Sequence, residues 1–250
     1  MKERSKYVHN TTYCIQNIMI YVMSDIHGCY DKYHQMIEKL KLTADDALFV
    51  LGDVIDYGDD GIKILKDMMY RANVYPVLGE HEYIAKQVFP LIEQAKSLEE
   101  CAEYVHGEDA VTLGNWLKNG GGATIKAFLA LNAEDRESII DYLDEFEPFE
   151  EVEAAGRSFV LVHAGIEDFE EDKPLEDYDE KAFISAAADY SKIYFSDKYL
   201  VTGHTPTLSI VPNGNGKVYS KKRHLAIDCG AFYGGRLAAV CLDTLKAFYC

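Results

Sequence analysis

The sequence is short of positive charge and contains no long apolar segment. Its 250 residues carry 25 lysines and arginines against 42 aspartates and glutamates, which gives a formal net charge of −17. An acidic surface repels nucleic acid and anionic membranes, so we expect neither as a partner. The apolar runs are far shorter than the ~20 residues that a membrane-spanning helix needs, and the first residues lack the apolar core of a secretory signal. These absences predict a cytoplasmic protein.

Cysteine is also sparse, and its spacing argues against a zinc-ribbon or a disulfide scaffold. The six cysteines form no C-x-x-C pair, so we expect reduced thiols. Hydrophobic residues make up 48% of the chain and charged residues 27%, values typical of a globular protein. At this length we expect one α/β domain over residues 18–250. Residues 1–17 show no periodicity and are expected to be a disordered extension.

The first half of the chain alternates between strand and helix patterns. Continuous apolar runs at 18–23, 47–51 and 74–78 predict buried strands, and the segments 30–40 and 61–70 between them have one apolar face each. Such a βαβαβ pattern implies parallel strands joined by right-handed crossovers.

The rest of the chain changes character twice. Residues 82–146 are predicted to be helical, with a helix start at Asn132 and a break at Asn119-Gly120-Gly121-Gly122, where the backbone could approach a ligand. Short strands are then predicted at 158–162, 199–201, 224–228, 236–242 and 246–249. A hairpin is expected to close through Asn213-Gly214-Asn215-Gly216. The simplest arrangement is a second, largely antiparallel sheet packed on the first.

Five loops that follow predicted strands carry histidine or carboxylate side chains. They read Asp25-Ile26-His27-Gly28, Gly52-Asp53-Val54-Ile55-Asp56, Gly79-Glu80-His81-Glu82, Val162-His163-Ala164-Gly165 and Thr202-Gly203-His204-Thr205-Pro206. Because the carboxyl ends of parallel strands meet at one edge of a sheet, we expect the first three loops to lie together. A single Asp-x-His is common, but five such loops in this order indicate one shared site.

These side chains suit divalent metal ions, which prefer carboxylate oxygen and imidazole nitrogen over thiolate when they are hard or borderline. Asp25 and His27 can face one ion from the same side, and Asp53 could bridge two ions. His163 and His204 come from the second half of the chain, which would place the site between the two sheets. Two ions about 3.5–4 Å apart would polarise a phosphoryl group and generate a hydroxide, the chemistry of phosphoester hydrolysis.

The motifs resemble those of the calcineurin-like metallophosphoesterases. They are DIHG, GDVIDYG, GEHE, LVHAG and TGHTP, together with the NGG of 119–121 and IDCGAFYGGRLA at 227–238. More narrowly, they resemble the branch that includes bacterial serine/threonine protein phosphatases (PPP) and symmetrical diadenosine tetraphosphatases, over residues 19–248. The resemblance implies an α/β fold in which two mixed β-sheets form a sandwich flanked by helices.

The resemblance also implies a role for each matching residue. The implied ligands of two divalent metal ions are Asp25, His27, Asp53, Glu80, His163 and His204, with Asp53 shared by both ions. Manganese is the first choice of metal, and iron or zinc would also fit. His81 would be the general acid that protonates the leaving oxygen, and Asp56 would orient it.

Three positions depart from the family pattern, and all three reduce the positive potential of the site. Glu80 replaces an asparagine and adds a negative charge among the ligands. Tyr57 replaces an arginine that would clamp phosphate, and a phenol cannot make the bidentate contact of a guanidinium. The segment 184–190 lacks the second arginine that the family carries there. Tyr57 and Arg236 are therefore the substrate-binding residues that the sequence offers.

The favoured function is a two-metal phosphoesterase that acts on phosphomonoesters, carried by a protein or by a small molecule, or on nucleoside polyphosphates. The loss of both arginines leaves a second hypothesis open, a non-catalytic protein that binds metal or phospho-ligands on a phosphatase fold. A third hypothesis is a phosphodiesterase, because a diester carries less charge than a monoester. The oligomeric state is not indicated by the sequence.

Overall fold

The computed structural model describes residues 18–211 and 214–250, which form two β-sheets with helices on their outer faces. The strands are β1 (Ile20–Met23), β2 (Ala47–Leu51), β3 (Val74–Val77), β4 (Phe149–Ala154), β5 (Arg157–Val162), β6 (Lys198–Thr202), β7 (Tyr219–Lys221), β8 (His224–Ala226), β9 (Ala238–Cys241) and β10 (Lys246–Tyr249). The helices are α1 (Tyr30–Leu40), α2 (Gly61–Met69), α3 (Glu80–Ile92), α4 (Leu98–Tyr104), α5 (Glu108–Trp116), α6 (Gly122–Leu129), α7 (Ala133–Leu143) and α8 (Thr207–Ile210). The predicted disordered extension 1–17 lies outside the described residues.

The first sheet is built on the βαβαβ unit that the sequence predicted. Its strand order is β10-β9-β1-β2-β3, and β1, β2 and β3 run parallel to one another. β9 pairs antiparallel with β1, with Val240 opposite Val22, and β10 pairs antiparallel with β9. The assignment of residues 236–242 and 246–249 to the second sheet was therefore wrong. These strands cover the edge of β1 that the crossover unit leaves open.

The second sheet has the order β4-β5-β6-β8-β7, with parallel pairs in its centre and antiparallel pairs at both edges. The prediction of a largely antiparallel sheet was wrong, because β5, β6 and β8 are parallel. The β7–β8 hairpin closes at Lys222 and Arg223, whose φ angles of 53° and 57° are those of a primed turn. The predicted hairpin turn at 213–216 is preceded by the helix α8, and Asn213 of that turn lies outside the described residues.

The two sheets pack face to face through a layer of apolar side chains. The first sheet contributes Val22, Phe49, Leu51 and Val77, and the second contributes Phe159, Leu161, Val201 and Leu225, all of them buried. Each such side chain contributes about 1.5–3 kcal/mol of stability through removal from water. Helices α1–α7 cover the other face of the first sheet, and the segment 166–195 packs on the other face of the second. The predicted sandwich of two mixed sheets flanked by helices is confirmed.

Local sequence signals explain several helix ends. α1 buries Tyr33, Met36 and Leu40 along one face and ends at Lys41, which adopts the left-handed conformation. The side chain of Asn132 accepts a hydrogen bond from the backbone N–H of Asp135 at 2.9 Å, so it caps α7 as the sequence predicted.

The carboxyl ends of β1, β2, β3, β5 and β6 gather at one end of the sandwich, and the five motif loops follow these strand ends. Within the described ranges, none of the helices has the length and apolar character needed to cross a lipid bilayer. The five cysteines described are free thiols.

Candidate metal centre

The loops at the strand ends turn sharply, and they do so at residues that are not glycine. Asp25, His27, Asp53, Asp56 and His204 have φ angles of 53°, 44°, 51°, 70° and 61°. Left-handed conformations are unfavourable for residues with a Cβ atom, and they cluster at functional sites where the surrounding fold enforces them. Position 52, just before Asp53, requires glycine, because a Cβ atom there would lie 2.3 Å from the Cα atom of Gly79. The local backbone is therefore built to hold these side chains in place.

Asp53 lies at the centre of the site, between two groups of histidines. Its Oδ2 atom is 3.7 Å from His27 Nε2, 3.9 Å from His81 Nε2 and 3.3 Å from His163 Nε2. Asp53 belongs to two groups of three potential metal ligands. Within each group, the ligand atoms all lie within 4.8 Å of one another. One group adds His27 and His81, and the other adds His163 and His204. This geometry can serve two neighbouring cations with one carboxylate between them.

The histidine tautomers fit a metal site. His163 Nδ1 lies 2.7 Å from the carbonyl oxygen of Leu51, and His27 Nδ1 lies 3.0 Å from that of Ile55. A carbonyl only accepts hydrogen bonds, so both Nδ1 atoms donate, and both Nε2 atoms are left to face Asp53. Burial lowers the pKa of His163, but the charges of Asp53 and Asp25 outweigh burial and raise that pKa to about 10, so a bound cation would take the place of the proton on Nε2. This Nε2 atom is fully buried, and none of the described residues forms a hydrogen bond with it. The residues present thus fit divalent cations.

Asp25 and Glu80 sit differently from the other predicted ligands. Both carboxylate oxygens of Asp25 accept the backbone N–H of His204 at 3.0 Å, and Ser24 Oγ donates to the same carboxylate. Asp25 thus ties the β1 loop to the β6 loop at the edge of the two ligand groups. Glu80 is the first residue of α3 and is half-buried. Neither belongs to the two groups around Asp53, so ligation by Asp25 and by Glu80 stays a prediction.

His81 is oriented by a buried carboxylate. Its Nδ1 atom lies 2.5 Å from Asp56 Oδ2, and the indole N–H of Trp116 donates to the same oxygen at 2.5 Å. Burial lowers the pKa of His81, but the charges of Asp53 and Asp56 outweigh burial and raise that pKa to about 9. The pKa of the predicted ligand His163 is raised in the same way, so it is the contact of Nδ1 with Asp56 that suits His81 to a proton donor.

Two buried acids that the sequence reasoning left without a role complete the site. The carboxylate of Glu82 accepts the backbone N–H groups of Asp53, Val54 and Ile55 at 2.7, 2.8 and 3.1 Å, and so fixes the loop that carries Asp53. Asp228 follows β8 and is 4% exposed. The signals were present in the GEHE and IDCG motifs, but a carboxylate inside a motif does not itself tell a metal ligand from a loop support.

The two predicted substrate-binding residues, Tyr57 and Arg236, contact different parts of the protein. The Tyr57 ring packs edge-on against His27, with ring centroids 4.9 Å apart, and against His81 at 5.3 Å. Arg236 is exposed, donates to the carbonyl oxygen of Asn215 at 3.5 Å, and lies over the ring of Tyr249. None of these Arg236 contacts involves a candidate metal ligand.

Comparison with known proteins agrees with this geometry. Residues 18–232 match the model of the calcineurin-like phosphoesterase family. The chain is 30% identical over 101 residues to the symmetrical bis(5'-nucleosyl)-tetraphosphatase of Wigglesworthia glossinidia brevipalpis, and 33% identical over 100 residues to that of Buchnera aphidicola. These alignments cover 39% of this chain and only 37% and 36% of the two relatives. The chain thus spans little more than a third of the length of these relatives.

The fold has a counterpart among solved structures. A crystal structure described as a candidate diadenosine tetraphosphatase superposes with a TM-score of 0.60 and 15% identity, covering 93% of this chain and 92% of that one. At this identity the likeness establishes the shared fold. The resemblance that the motifs indicated is confirmed.

Proposed function

This chain belongs to the calcineurin-like phosphoesterase family, whose members are hydrolases that use divalent metals, and we propose that it hydrolyses phosphate esters or anhydrides at the Asp53 site. The observation that carries the proposal is the placement of one carboxylate between two groups of histidines at the ends of strands from both sheets. Phosphomonoesters of small molecules and nucleoside polyphosphates are the proposed substrates. The acidic surface, with its net charge of −17, makes nucleic acid an unfavourable one.

Asp25, His27 and Asp53 are the proposed ligands of the first cation, and Asp53, Glu80, His163 and His204 those of the second. When bound, such cations, with manganese as our first choice, activate the phosphoryl group and the attacking water as Lewis acids. The chain contributes the arrangement of the ligands. Leu51 and Ile55 carbonyls hold the rings of His163 and His27, and Glu82 holds the Asp53 loop.

His81 is the proposed proton donor to the leaving oxygen. Geometry groups its Nε2 atom with His27 and Asp53, so ligation of a metal is the competing role. The contact between its Nδ1 atom and the buried carboxylate of Asp56 favours the protonated ring and hence the donor role. Asp56, 0% exposed, keeps the ring oriented from behind.

A non-catalytic phospho-ligand-binding protein is the second candidate, favoured by the aromatic surroundings of Tyr57 where the family resemblance implies an arginine. Glu80 adds a further negative charge near the site. A double variant, Glu80→Asn with Tyr57→Arg, separates the two candidates. Activity that appears only in this variant would support the non-catalytic parent, and substantial activity of the parent would exclude it.

The direct test is hydrolysis by the purified protein with manganese, zinc or iron, on an aryl phosphomonoester, a bis-aryl phosphodiester and a dinucleoside tetraphosphate. We expect metal-dependent turnover that Asp53→Asn removes. His106→Gln, which changes an exposed histidine between α4 and α5, is the matched control and should retain activity. Metal-loaded protein that turns over none of these substrates would refute the proposal. Turnover of the diester alone would identify the activity as that of a phosphodiesterase.

A further inference from the structure

Three aromatic side chains form an uninterrupted wall beside the candidate metal centre. The rings of Tyr57 and Phe232 are stacked, with centroids 5.4 Å apart and an interplanar angle of 29°. Tyr233 closes the group at 6.1 Å from Tyr57 and 5.5 Å from Phe232. Phe232 is 39% exposed and Tyr233 is 64% exposed. A contiguous exposed apolar patch often marks an interaction site, and this one lies beside the candidate metal centre, so the wall indicates a binding surface.

The wall and the metal centre share one side chain. Tyr57 contacts the rings of both His27 and His81. Within the described part of the chain, Phe232 and Tyr233 make ring contacts with Tyr57 and with each other. The exposed part of the wall therefore stands one ring further from the imidazoles than Tyr57 does. A ligand that spans both regions places its phosphate at the histidines and an apolar group at the outer rings.

Separate parts of the chain hold the wall in place. Tyr57 has a φ angle of 62°, and its N–H donates to the carbonyl oxygen of Gly120 at 3.2 Å. A Cβ atom at Gly120 would lie 2.6 Å from the Tyr57 ring, so this break in the helical region approaches an aromatic ring of the protein itself. Lys32 of α1 donates to the carbonyl oxygens of Ala231 and Gly235 at 2.6 and 2.8 Å, and so anchors the loop that carries Phe232.

Resting on the proposed function, we propose that this aromatic wall binds a planar ring system on the leaving-group side of the phosphate. Stacking on the wall then contributes the binding energy that the family's arginine would have contributed through its charge. The wall also determines which phosphate esters bind most tightly. A phenyl ring bonded directly to the phosphate oxygen reaches only Tyr57, whose face Phe232 already covers. A ring set back by a spacer, as a nucleobase is by its ribose, reaches the exposed rings of Phe232 and Tyr233. The wall thus fits the base of a nucleoside phosphate.

The test compares ligands that differ by one group. Equilibrium binding is measured by calorimetry on the protein loaded with manganese. The ligands are the methylenephosphonate analogues of adenosine monophosphate, ribose 5-phosphate and phenyl phosphate, whose C–P bond is not hydrolysed, and turnover of the three phosphate esters is measured in parallel. We expect the adenine base to tighten binding about tenfold over ribose 5-phosphate, as base–aromatic stacking does elsewhere. Phenyl phosphate should gain little over ribose 5-phosphate.

The matched variants decide whether the wall is responsible. The double variant Phe232→Leu with Tyr233→Leu should bring the ratio of the two affinities close to one. Tyr70→Leu changes another exposed tyrosine, at the end of α2, and should keep the parental ratio. Melting curves of all three proteins check that the exposed substitutions leave the fold intact.

A parental ratio near one, or an unchanged ratio in the double variant, would overturn the role of the wall. A gain for phenyl phosphate without a gain for adenosine monophosphate would overturn the assignment to a nucleobase. Absence of turnover with the binding preference intact would count against the proposed hydrolysis and would still support the wall as a binding surface. The two proposals therefore fail in different ways.

Discussion

Replacement of Asp56 by asparagine isolates the charge behind His81 from the hydrogen bonds that orient it. Asp56 Oδ2 accepts hydrogen bonds from His81 Nδ1 and from the indole N–H of Trp116. Its Oδ1 atom is buried, and no residue in the described ranges forms a hydrogen bond with it. An asparagine can place its carbonyl oxygen where Oδ2 was and its amide group where Oδ1 was. The two hydrogen bonds survive, and the negative charge is lost.

The size of the effect follows from the strength of charged hydrogen bonds. A hydrogen bond to a charged group is worth about 1.5–3 kcal/mol, roughly twice a neutral one. The imidazolium of His81 should lose about 1 kcal/mol of stabilisation in Asp56→Asn, which corresponds to an affinity for its proton that is about fivefold lower. Because the charge of Asp56 helps to raise the pKa of His81, the variant should hold that proton less tightly. The fall of activity at alkaline pH should therefore begin at a lower pH than in the parent.

The assay is kcat as a function of pH, on p-nitrophenyl phosphate and on phenyl phosphate. A general acid matters most for a poor leaving group. At alkaline pH, where His81 of the variant loses its proton before that of the parent, the variant should therefore lose more activity on phenyl phosphate than on the p-nitrophenyl ester. Trp116→Phe removes the second donor but keeps the charge of Asp56, and it should not move the alkaline limb downwards. An unchanged pH profile and equal losses on both esters in Asp56→Asn would refute the donor role of His81.

Three further outcomes are expected. Glu82→Gln leaves at least one backbone N–H of the Asp53 loop without an acceptor, so the free energy of unfolding in denaturant should fall by about 1–3 kcal/mol, and an unchanged value would contradict the support role of Glu82. Removal of metal by a chelator should lower the melting temperature, and added manganese should restore it, because a ligand that binds the folded state stabilises it. Burial and the charge of Glu147 raise the pKa of Glu150 from 4.5 to about 7, so stability should fall as pH rises between these values. Glu150→Gln should remove about 1 kcal/mol of this dependence, after allowance for the exposed part of the side chain, and parallel stability curves of parent and variant would exclude the effect.

The first sheet could be predicted from the sequence because its signals are local. The apolar runs of β1, β2 and β3 each fill a strand that is buried on both faces, and α1 begins and ends at the predicted residues. Parallel pairing then follows from the alternation of strands and helices. The position of the motif loops at one end of the sheet is a consequence of that pairing.

The partners of the last two strands could not be predicted in the same way. β9 pairs with β1, so residues that form the contact, such as Val22 and Val240, lie more than two hundred positions apart in the chain. A hairpin pattern specifies that β9 and β10 pair with each other and says nothing about which sheet edge receives them. The open edge of β1 decides this, and its existence follows only from the assembled fold.

The roles of Glu82 and Trp116 escaped prediction for a different reason. Glu82 accepts hydrogen bonds from backbone N–H groups, and Trp116 donates one to another side chain. Neither contact corresponds to a residue spacing that a sequence motif would reveal. Glu82 lies next to His81 in the sequence but turns to the β2 loop, while Trp116 reaches Asp56 from the end of α5. Only the packing of α3 and α5 against the loops shows these contacts.

The charges of the site favour bound cations. Burial, aided by Asp228, raises the pKa of Asp25, and burial raises the pKa of Asp228 to about 6 and, together with the charge of Asp53, that of Glu82 to about 7. In the absence of a cation, these acids thus tend to retain protons. Divalent ions beside Asp53 would stabilise the ionised carboxylates and release those protons, so metal affinity and pH are linked at this site. The missing arginines leave this cation charge as the main attraction for a phosphate, which is why a neutral aromatic wall can take over the selection of the substrate.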